Sequence, residues 1–369
     1  MQPAKIVDLF AGPGGLDVAA EKLNIPTVGV EWDAAACATR EAAGLETKQG
    51  DVRRFGPSDF PDADVLAGGP PCQTFTVAGT GVGRKALDTV LGFVERMVAR
   101  ENHDEIAEDL AMMEDERTGL VLEPLRWALE AIDSGNPYRA IVLEQVPAVL
   151  PVWKAYAKAL RKEGYSAECG VLRTEEYGVP QTRRRAVLIA RVIREGEDEV
   201  TLPRPTHRIY RKGVDQEAGD TRFKPWRTMA DVIDRPSPFL VISNYGTGGN
   251  PKARGRRGSW EPSATVTGKI RRNRVVSADG AETELRRFNH SEAGRLQTFP
   301  GDYPWSGRDV GQQIGNAVPP RLAMHVLCAA FGLGTPTDEM LQRLETWRSG
   351  EVPGPSVEAE LPSKELQYA

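Results

Sequence analysis

The sequence predicts an α/β protein, with a mostly parallel sheet covered on both faces by helices and a smaller, irregular β-rich domain after it. Short apolar runs such as Ile6–Phe10, Thr27–Val30 and Ile141–Leu143 alternate with helical patterns in the first half. This alternation is typical of parallel sheets buried on both faces. From about Arg191 the alternation stops, and residues 195–285 are rich in Pro, Gly, Arg and Thr.

The apolar runs are the predicted strands, and polar or glycine residues follow each of them. A helix is predicted after the first strand because its apolar residues recur at spacings of three and four. Two apolar stripes between residues 86 and 132 are typical of packing faces. In the second half, short β-like pieces precede helical texture near 321–333. The remaining predicted strands are Val65–Ala67, Val187–Ala190, Phe239–Ile242 and Ala264–Thr267.

Composition narrows the class of protein. The chain has 369 residues, 40% hydrophobic and 27% charged, and no apolar run is long enough to span a bilayer. The N-terminus lacks a secretory pattern, so we expect a cytoplasmic protein without membrane partners. Its four cysteines and four histidines neither cluster nor show zinc-ligand spacing, so we expect no metal site and no disulfide framework.

Charge is unevenly distributed along the chain, although its net value is only −5. Residues 101–116 hold eight acids and no Lys or Arg, whereas residues 252–274 hold eight Lys or Arg and one acid. A local basic stretch matters more for phosphate contact than the average charge does. The second stretch is therefore the candidate nucleic-acid contact.

A glycine-rich turn, Gly12-Pro13-Gly14-Gly15, joins the first strand to its helix. Such a turn lets a ligand approach backbone N–H groups, and Glu31, at the end of the next strand, stands where an acid accepts bonds from ribose hydroxyls. Trp32 is suited to stacking on a purine ring. These residues fit nicotinamide, flavin or S-adenosylmethionine equally well, and a plain tight turn is the alternative.

Two further motifs follow predicted strands, and a third lies just before the predicted strand Val187–Ala190. In Pro70-Pro71-Cys72-Gln73 two prolines fix the backbone ahead of a thiol, which is either a nucleophile or a structural cysteine. Glu144 is either an acid–base group or a capping carboxylate. Arg183 and Arg185 would share one face of an extended segment, suited to phosphate or carbonyl recognition or to a solvated basic stretch.

Taken together and in order, these motifs resemble those of the DNA (cytosine-5) methyltransferase family, of bacterial or phage type. The resemblance runs from about residue 5 to 335. Its motifs are Asp8–Gly15, Glu31–Asp33, Gly50–Val52, Pro71–Gln73 with Ala78-Gly79, Arg117–Leu120, Glu144–Val146, Pro180–Arg185, Glu292–Pro300 and Gln313–Pro320.

The resemblance implies a covalent mechanism on a flipped-out cytosine. Cys72 would add to carbon 6 of the base, and Glu144 would hold ring nitrogen 3 and the exocyclic amine. Arg185 would bind the carbonyl oxygen of the base, with Arg183 supporting this catalytic cluster. The methyl donor would be S-adenosylmethionine, and the residues implied to bind it are Phe10, Gly12, Gly14, Glu31, Trp32, Asp51, Val52, Pro71, Leu120, Asn316 and Val318.

The resemblance also implies a Rossmann-like S-adenosylmethionine-dependent methyltransferase domain at 1–192, with a helical insertion at about 80–117. A target-recognition domain would span 193–305, the chain would return to the catalytic domain at 306–345, and 346–369 would be a disordered tail. The partner would be duplex DNA, with a cognate restriction endonuclease acting separately, and we expect a monomer. The residues expected to contact DNA are Gln73, Arg254, Arg256, Arg257, Lys269, Arg271, Arg272 and Arg274.

Two departures from the family pattern stand out. Gln145 replaces the usual asparagine after the catalytic glutamate, and the segment from Ala78 to Arg117 is longer than the usual closing loop. We expect the acidic part of that segment to project away from DNA. Rival hypotheses are an RNA cytosine-5 methyltransferase of the same family, a catalytically inactive DNA-binding relative and a Rossmann-type dehydrogenase.

Overall fold

The computed structural model describes residues 4–71, 81–112, 116–193, 197–244 and 254–347. Its larger sheet has seven strands in the order β3-β2-β1-β4-β5-β7-β6. The first five in this order are parallel, whereas β7 is antiparallel to both β5 and β6. The strands are β1 Ile6–Leu9, β2 Thr27–Glu31, β3 Thr47–Gln49, β4 Val65–Gly68, β5 Ala140–Gln145, β6 Tyr165–Arg173 and β7 Arg184–Val192.

Helices cover both faces of this sheet, which confirms the predicted α/β class. Successive strand residues point to opposite faces, so Ile6 and Val7 belong to different hydrophobic cores. One core includes residues of α3, α5 and α6, and the other includes α1 and α9. The helices are α1 Gly15–Lys22, α2 Ala34–Ala43, α3 Gly81–Val98, α4 His103–Ala111, α5 Glu123–Asp133, α6 Leu150–Lys162, α7 His290–Leu296, α8 Val310–Asn316, α9 Pro320–Ala330 and α10 Asp338–Gln342.

Five elements differ from the sequence prediction, and two of them are the short strands Arg256–Gly258 and Arg274–Ser277 of the smaller sheet, which were not predicted. Strands β3 and β6 were missed because β3 is short and polar, while β6 lies at the sheet edge with one irregular, half-exposed face. The β-like piece Ala264–Thr267 is wrong as a strand. Its backbone is instead held by side chains, since the N–H of Val266 donates to Gln181 and its carbonyl accepts from Arg183.

The acidic segment between residues 101 and 116 is partly neutralised by neighbouring arginines. Arg96 on α3 contacts Glu101 and Asp109, each at 2.7 Å. Arg100 contacts Asp133 at 2.8 Å and Glu163 at 3.1 Å. Helix α3 packs against α5 and α6. These contacts fasten the insertion to the helices that follow it.

The smaller sheet has three antiparallel strands in the order β10-β8-β9: β8 Phe239–Ile242, β9 Arg256–Gly258 and β10 Arg274–Ser277. Its hydrophobic core includes residues of α7 and also Val310 and Ile314 of α8. Helix α9 then packs against α1, β5 and β7. The last part of the chain therefore joins the two sheets.

Helix α8 and the loop before β10 approach each other at the level of the backbone. A Cβ atom on Gly315 would lie 2.3 Å from the backbone nitrogen of Gly268, closer than atoms can pack. A Cβ atom on Gly268 would lie 2.0 Å from Oε1 of Gln312. Glycine at both positions allows this contact. No described helix is both long and apolar enough to cross a membrane.

Candidate active site

A cavity of about 720 Å³ opens at the carboxyl ends of the parallel strands. It lies beside β1 and β4, where the chain order of the sheet reverses direction, which is where open α/β sheets bind ligands. Every described residue expected to bind the cofactor lines it, except Gly14, whose neighbours on both sides do. Lining residues include Phe10, Gly12, Glu31, Trp32, Asp51, Val52, Pro71, Leu120, Glu144, Arg183, Arg185, Asn316 and Val318.

The glycine-rich turn after β1 has a left-handed backbone at three positions, with φ of 59° at Phe10, 55° at Gly12 and 100° at Gly14. A Cβ atom on Gly14 would lie 2.4 Å from Leu45, and one on Gly15 would lie 2.1 Å from the carbonyl oxygen of Val318. At Gly12, by contrast, a Cβ atom would meet nothing within 4 Å. Glycine is thus needed for packing at 14 and 15, while at 12 it leaves the backbone facing open space.

Glu31 holds this turn through both of its carboxylate oxygens. Oε2 accepts the N–H of Gly12 and Oε1 accepts the N–H of Asp33, each at 2.7 Å. Burial raises the pKa of Glu31, and these two N–H groups partly oppose the shift. The sequence assigned Glu31 to a ribose, and the structure adds the role of fixing the turn.

The other expected cofactor residues form the walls of the cavity. Trp32 is 67% exposed at its mouth. Burial alone would raise the pKa of Asp51, but hydrogen bonds from Arg53 lower it overall, and the two side chains meet at 2.6 Å. Asn316 ends α8 and accepts a hydrogen bond from Gln312 at 2.8 Å. Asp51 and Asn316 therefore already have protein partners at the cavity wall.

Glu144 and Arg185 form an ion pair in the wall of the cavity. Nε of Arg185 lies 2.6 Å from Oε1 of Glu144, and the side chains are only 12% and 13% exposed. They come together because β5 and β7 are neighbouring antiparallel strands, with Glu144 opposite Val187. A carboxylate and a guanidinium thus face the same space as the glycine-rich turn.

Arg183 is placed differently from Arg185. Its buried guanidinium donates to the carbonyls of Val266 at 3.0 Å, Gly315 at 3.0 Å and Ala317 at 3.3 Å. Burial and the neighbouring Arg185 lower the pKa of Arg183 well below its ordinary value. Arg183 thus joins the loop before β10 to the end of α8.

Cys72 and Gln73 lie outside the described residues. The loop that leads to them is described as far as Pro71, which lines the cavity with Glu144. Pro70 is buried, and its carbonyl accepts a hydrogen bond from the side chain of Gln145. The described part of this loop therefore reaches the site that the sequence predicted for it.

The residues expected to contact DNA divide into two groups. Arg256, Arg257 and Arg274 lie on the small sheet and face carboxylates of Glu282, Glu261 and Glu284, respectively. Lys269, Arg271 and Arg272 are exposed on a turn beside α8, where Arg271 lies 3.3 Å from His290. Arg254 is half-buried before β9. The turn at 269–272, which we call the basic turn, is the part nearest the cavity wall formed by α8.

Two side-chain contacts were not predicted from the sequence. Gln181 accepts the N–H of Val266 and donates to Gln297, which in turn donates to the carbonyl of Ile314, each at 2.7 Å. Arg126 on α5 donates to the carbonyls of Val52 and Phe55 beside the cavity. The spacing of Arg126 with Glu123 and Glu130 predicts helix-surface ion pairs, but it contains no signal for the distant carbonyls.

Comparisons with known proteins identify the family of this chain. A family model described as C-5 cytosine-specific DNA methylase matches residues 4–100 and 106–331. The Type II methyltransferase M.NgoBI of Neisseria gonorrhoeae is 34% identical over 331 residues, covering 85% of this chain and 89% of the relative. M.NgoFVII, a Type II methyltransferase of the same organism, is 28% identical and covers 86% of this chain and 83% of the relative.

Solved structures support the same fold. The Entamoeba histolytica methyltransferase EhMeth superposes with a TM-score of 0.60 at 14% identity, covering 90% of this chain and 99% of that structure. A putative DNA modification methyltransferase from an Escherichia coli prophage gives 0.53 at 19% identity, covering 89% and 99%. The family match spans most of the chain, so this protein belongs to the C-5 cytosine-specific DNA methylase family and is a DNA cytosine-5 methyltransferase.

Proposed function

We propose that the enzyme methylates carbon 5 of cytosine within a specific duplex DNA sequence, using S-adenosylmethionine and a covalent Cys72 adduct. The observation that carries this proposal is the ion pair of Glu144 with Arg185, which shares one cavity with the glycine-rich turn. The described loop ahead of Cys72 enters the same cavity at Pro71. The residues expected to bind the cofactor and those expected to bind the target cytosine therefore line one cavity.

The cavity suits S-adenosylmethionine in size and chemistry. Its volume of about 720 Å³ lies within the range of small-molecule sites, about 300–1,000 Å³. Open space beside Gly12 admits a ligand close to the backbone, and Glu31 offers carboxylate oxygens at the end of β2. When bound, S-adenosylmethionine supplies an electrophilic methyl group.

The base must be activated, since carbon 5 of cytosine is a poor nucleophile. The Cys72 thiolate adds to carbon 6, while Glu144 donates a proton to ring nitrogen 3 and Arg185 binds the carbonyl oxygen. The enamine formed in this way attacks the methyl group through carbon 5. Loss of the carbon 5 proton to a base then breaks the bond from carbon 6 to sulfur and releases the Cys72 thiolate. The proton on ring nitrogen 3 returns to Glu144, so the products are neutral 5-methylcytosine and S-adenosylhomocysteine.

Base flipping follows from the position of the site. Glu144 and Arg185 line the cavity with only 13% and 12% of their side chains exposed, so we expect a cytosine to reach them only after it leaves the stack of the duplex. Extruding the base costs a few kcal/mol, which pocket contacts and phosphate contacts offset. The exposed cations of the basic turn, Lys269, Arg271 and Arg272, are placed to supply phosphate contacts.

A cognate restriction endonuclease acting separately is a further part of the proposal. It is supported by relatives named Type II methyltransferases. Bisulfite sequencing of DNA from cells that express the protein would give the methylated sequence. An endonuclease partner predicts that this sequence is short and methylated at nearly every occurrence, whereas scattered, partial methylation would contradict it.

The covalent mechanism is tested with Cys72→Ala. We expect this variant to lose methyl transfer to duplex DNA while its affinity for S-adenosylmethionine stays within about twofold, since the thiol is not needed for cofactor binding. The wild type should form a stable adduct with a duplex that carries 5-fluorocytosine, mapped to Cys72 by peptide analysis. Turnover by the variant, or transfer to tRNA in preference to duplex DNA, would overturn the proposal.

A further inference from the structure

Gln145, which follows the proposed acid Glu144, bridges two backbone groups with its side-chain amide. Nε2 donates to the carbonyl of Pro70, and Oε1 accepts the N–H of Val146 at 2.5 Å. Gln145 is the last residue of β5, whereas the neighbouring strand β4 ends at Gly68, opposite Leu143. Its amide therefore spans the gap where the two strands no longer pair.

The loop after β4 has few polar groups through which the sheet can hold it. Pro70 and Pro71 have no N–H group, so they cannot donate a hydrogen bond. The N–H of Gly69 donates to the carbonyl of Leu9 at 3.2 Å. Beyond that bond, the carbonyl of buried Pro70 is the next anchor on the way to Cys72, two residues later.

We propose that Gln145 is a positioning residue that holds this loop so that Cys72 meets carbon 6 of a base bound by Glu144 and Arg185. This inference rests on the proposed function. Because Glu144 and Gln145 are consecutive, one strand end orients both the proposed acid and the loop of the nucleophile. The glutamine is one methylene longer than the usual asparagine, and this length lets one amide reach Pro70 and also bond the N–H of Val146.

The test compares Gln145→Met, which keeps the length and removes the donor, with Gln145→Asn, which keeps the amide but shortens it. Gln342→Met, on exposed α10, is the matched control. The readouts are single-turnover methyl transfer and the rate of covalent trapping on a duplex carrying 5-fluorocytosine at the methylated position. The affinities for S-adenosylmethionine and for duplex DNA are measured in parallel.

We expect Gln145→Met to slow both methyl transfer and trapping by about tenfold to hundredfold, the effect of a small misplacement of reacting groups. Both affinities should stay within about twofold of wild type, and Gln145→Asn should recover part of the rate. A wild-type trapping rate in Gln145→Met overturns the inference, as does an equal loss of cofactor affinity. Absence of trapping in the wild type would instead refute the proposed function.

Discussion

Two arginine–carboxylate pairs lie close to the cavity, and they differ in how completely their surroundings enclose them. Arg40 and Asp17 are 0% exposed and bonded at two points, at 2.8 and 2.9 Å. Thr27 donates to Asp17, while Arg40 also donates to Thr47. In the second pair, Nε of Arg185 lies 2.6 Å from Oε1 of Glu144, and both side chains border the cavity.

This difference separates a structural pair from the pair that we propose to be functional. Arg40 outweighs the effect of burial and lowers the pKa of Asp17, whereas burial and Asp17 raise the pKa of neighbouring Asp8. The three side chains form a closed network beneath the glycine-rich turn. A pair that borders a cavity, in contrast, can exchange part of its contact for a substrate.

The largest expected effect is on catalysis, in Glu144→Gln. Because the amide cannot transfer a proton as the carboxyl group does, we expect methyl transfer to fall by about 10²–10⁴-fold. Cofactor affinity should be retained. Glu168→Gln, on edge strand β6, is the control and should methylate normally. Normal methyl transfer by Glu144→Gln in a single-turnover assay would contradict the proposed catalytic role of Glu144.

The next largest effect is on stability, in Arg40→Met. Removing one partner of a buried ion pair leaves an uncompensated charge, so we expect the free energy of unfolding to fall by about 3–5 kcal/mol. The exposed pair of Arg222 with Asp220 is the control. Arg222→Met should leave the free energy of unfolding nearly unchanged, since ion pairs in contact with solvent contribute little to stability. Equal losses in urea denaturation would show that enclosure does not distinguish the two kinds of pair.

Two buried histidines belong to a third polar cluster, beside α9, and they should make the stability of the protein depend on pH. Burial and nearby Arg321 lower the pKa values of His207 and His325 to about 3. The unfolded chain, with an ordinary histidine pKa near 6.5, therefore binds more protons between about pH 3 and 6.5. Stability is fully present above about pH 6.5 and falls as the pH drops.

At pH 5 each histidine should lower the free energy of unfolding by on the order of 2 kcal/mol relative to its value at neutral pH. His325→Phe should flatten this dependence, since neither ring nitrogen of buried His325 has a hydrogen-bond partner in the described structure. His290 is half-buried and lies outside this cluster, so His290→Asn should leave most of the pH dependence of stability unchanged. An unchanged slope in His325→Phe would contradict the assignment.

The smallest expected effect separates backbone strain from ligand contact. Gly12 and Gly135 both have positive φ, and a Cβ atom at either would meet nothing within 4 Å. Alanine at either position should therefore cost about 1 kcal/mol of stability. Only Gly12→Ala should also weaken S-adenosylmethionine binding, by about tenfold, measured by calorimetry. Equal cofactor affinity in the two variants would contradict the cofactor assignment of the turn.

Much of the fold could be predicted because apolar strands buried on both faces have a clear pattern. The core strands and the polar residues at their ends were visible in this way, including Glu144 at the end of one strand and Arg185 at the start of another. Strand β6 was not, because its register depends on pairing with β7 rather than on its own composition. Pattern alone also left Cys72 equally open to a structural role, and the structure describes the loop only as far as Pro71.

Contacts made by long side chains to distant carbonyls could not be predicted. Arg183 was expected beside the catalytic cluster, but its donors bind carbonyls 83, 132 and 134 residues away. Nothing in the local sequence specifies such partners, since they depend on how the two sheets pack. The amide contacts of Gln181 with Gln297 were missed for the same reason.

The backbone contact between Gly268 and Gly315 has a consequence for how sequence specificity can evolve or be engineered. A segment grafted in place of the proposed recognition region must fit its backbone against Gly315, where a Cβ atom would lie 2.3 Å from the backbone nitrogen of Gly268, and a side chain at 268 would require the Gln312 side chain to move. It must also offer a carbonyl to Arg183 in place of that of Val266. Grafts that exchange the basic turn while keeping these two features should still fold. New sequence specificities should therefore arise in loops that keep both features.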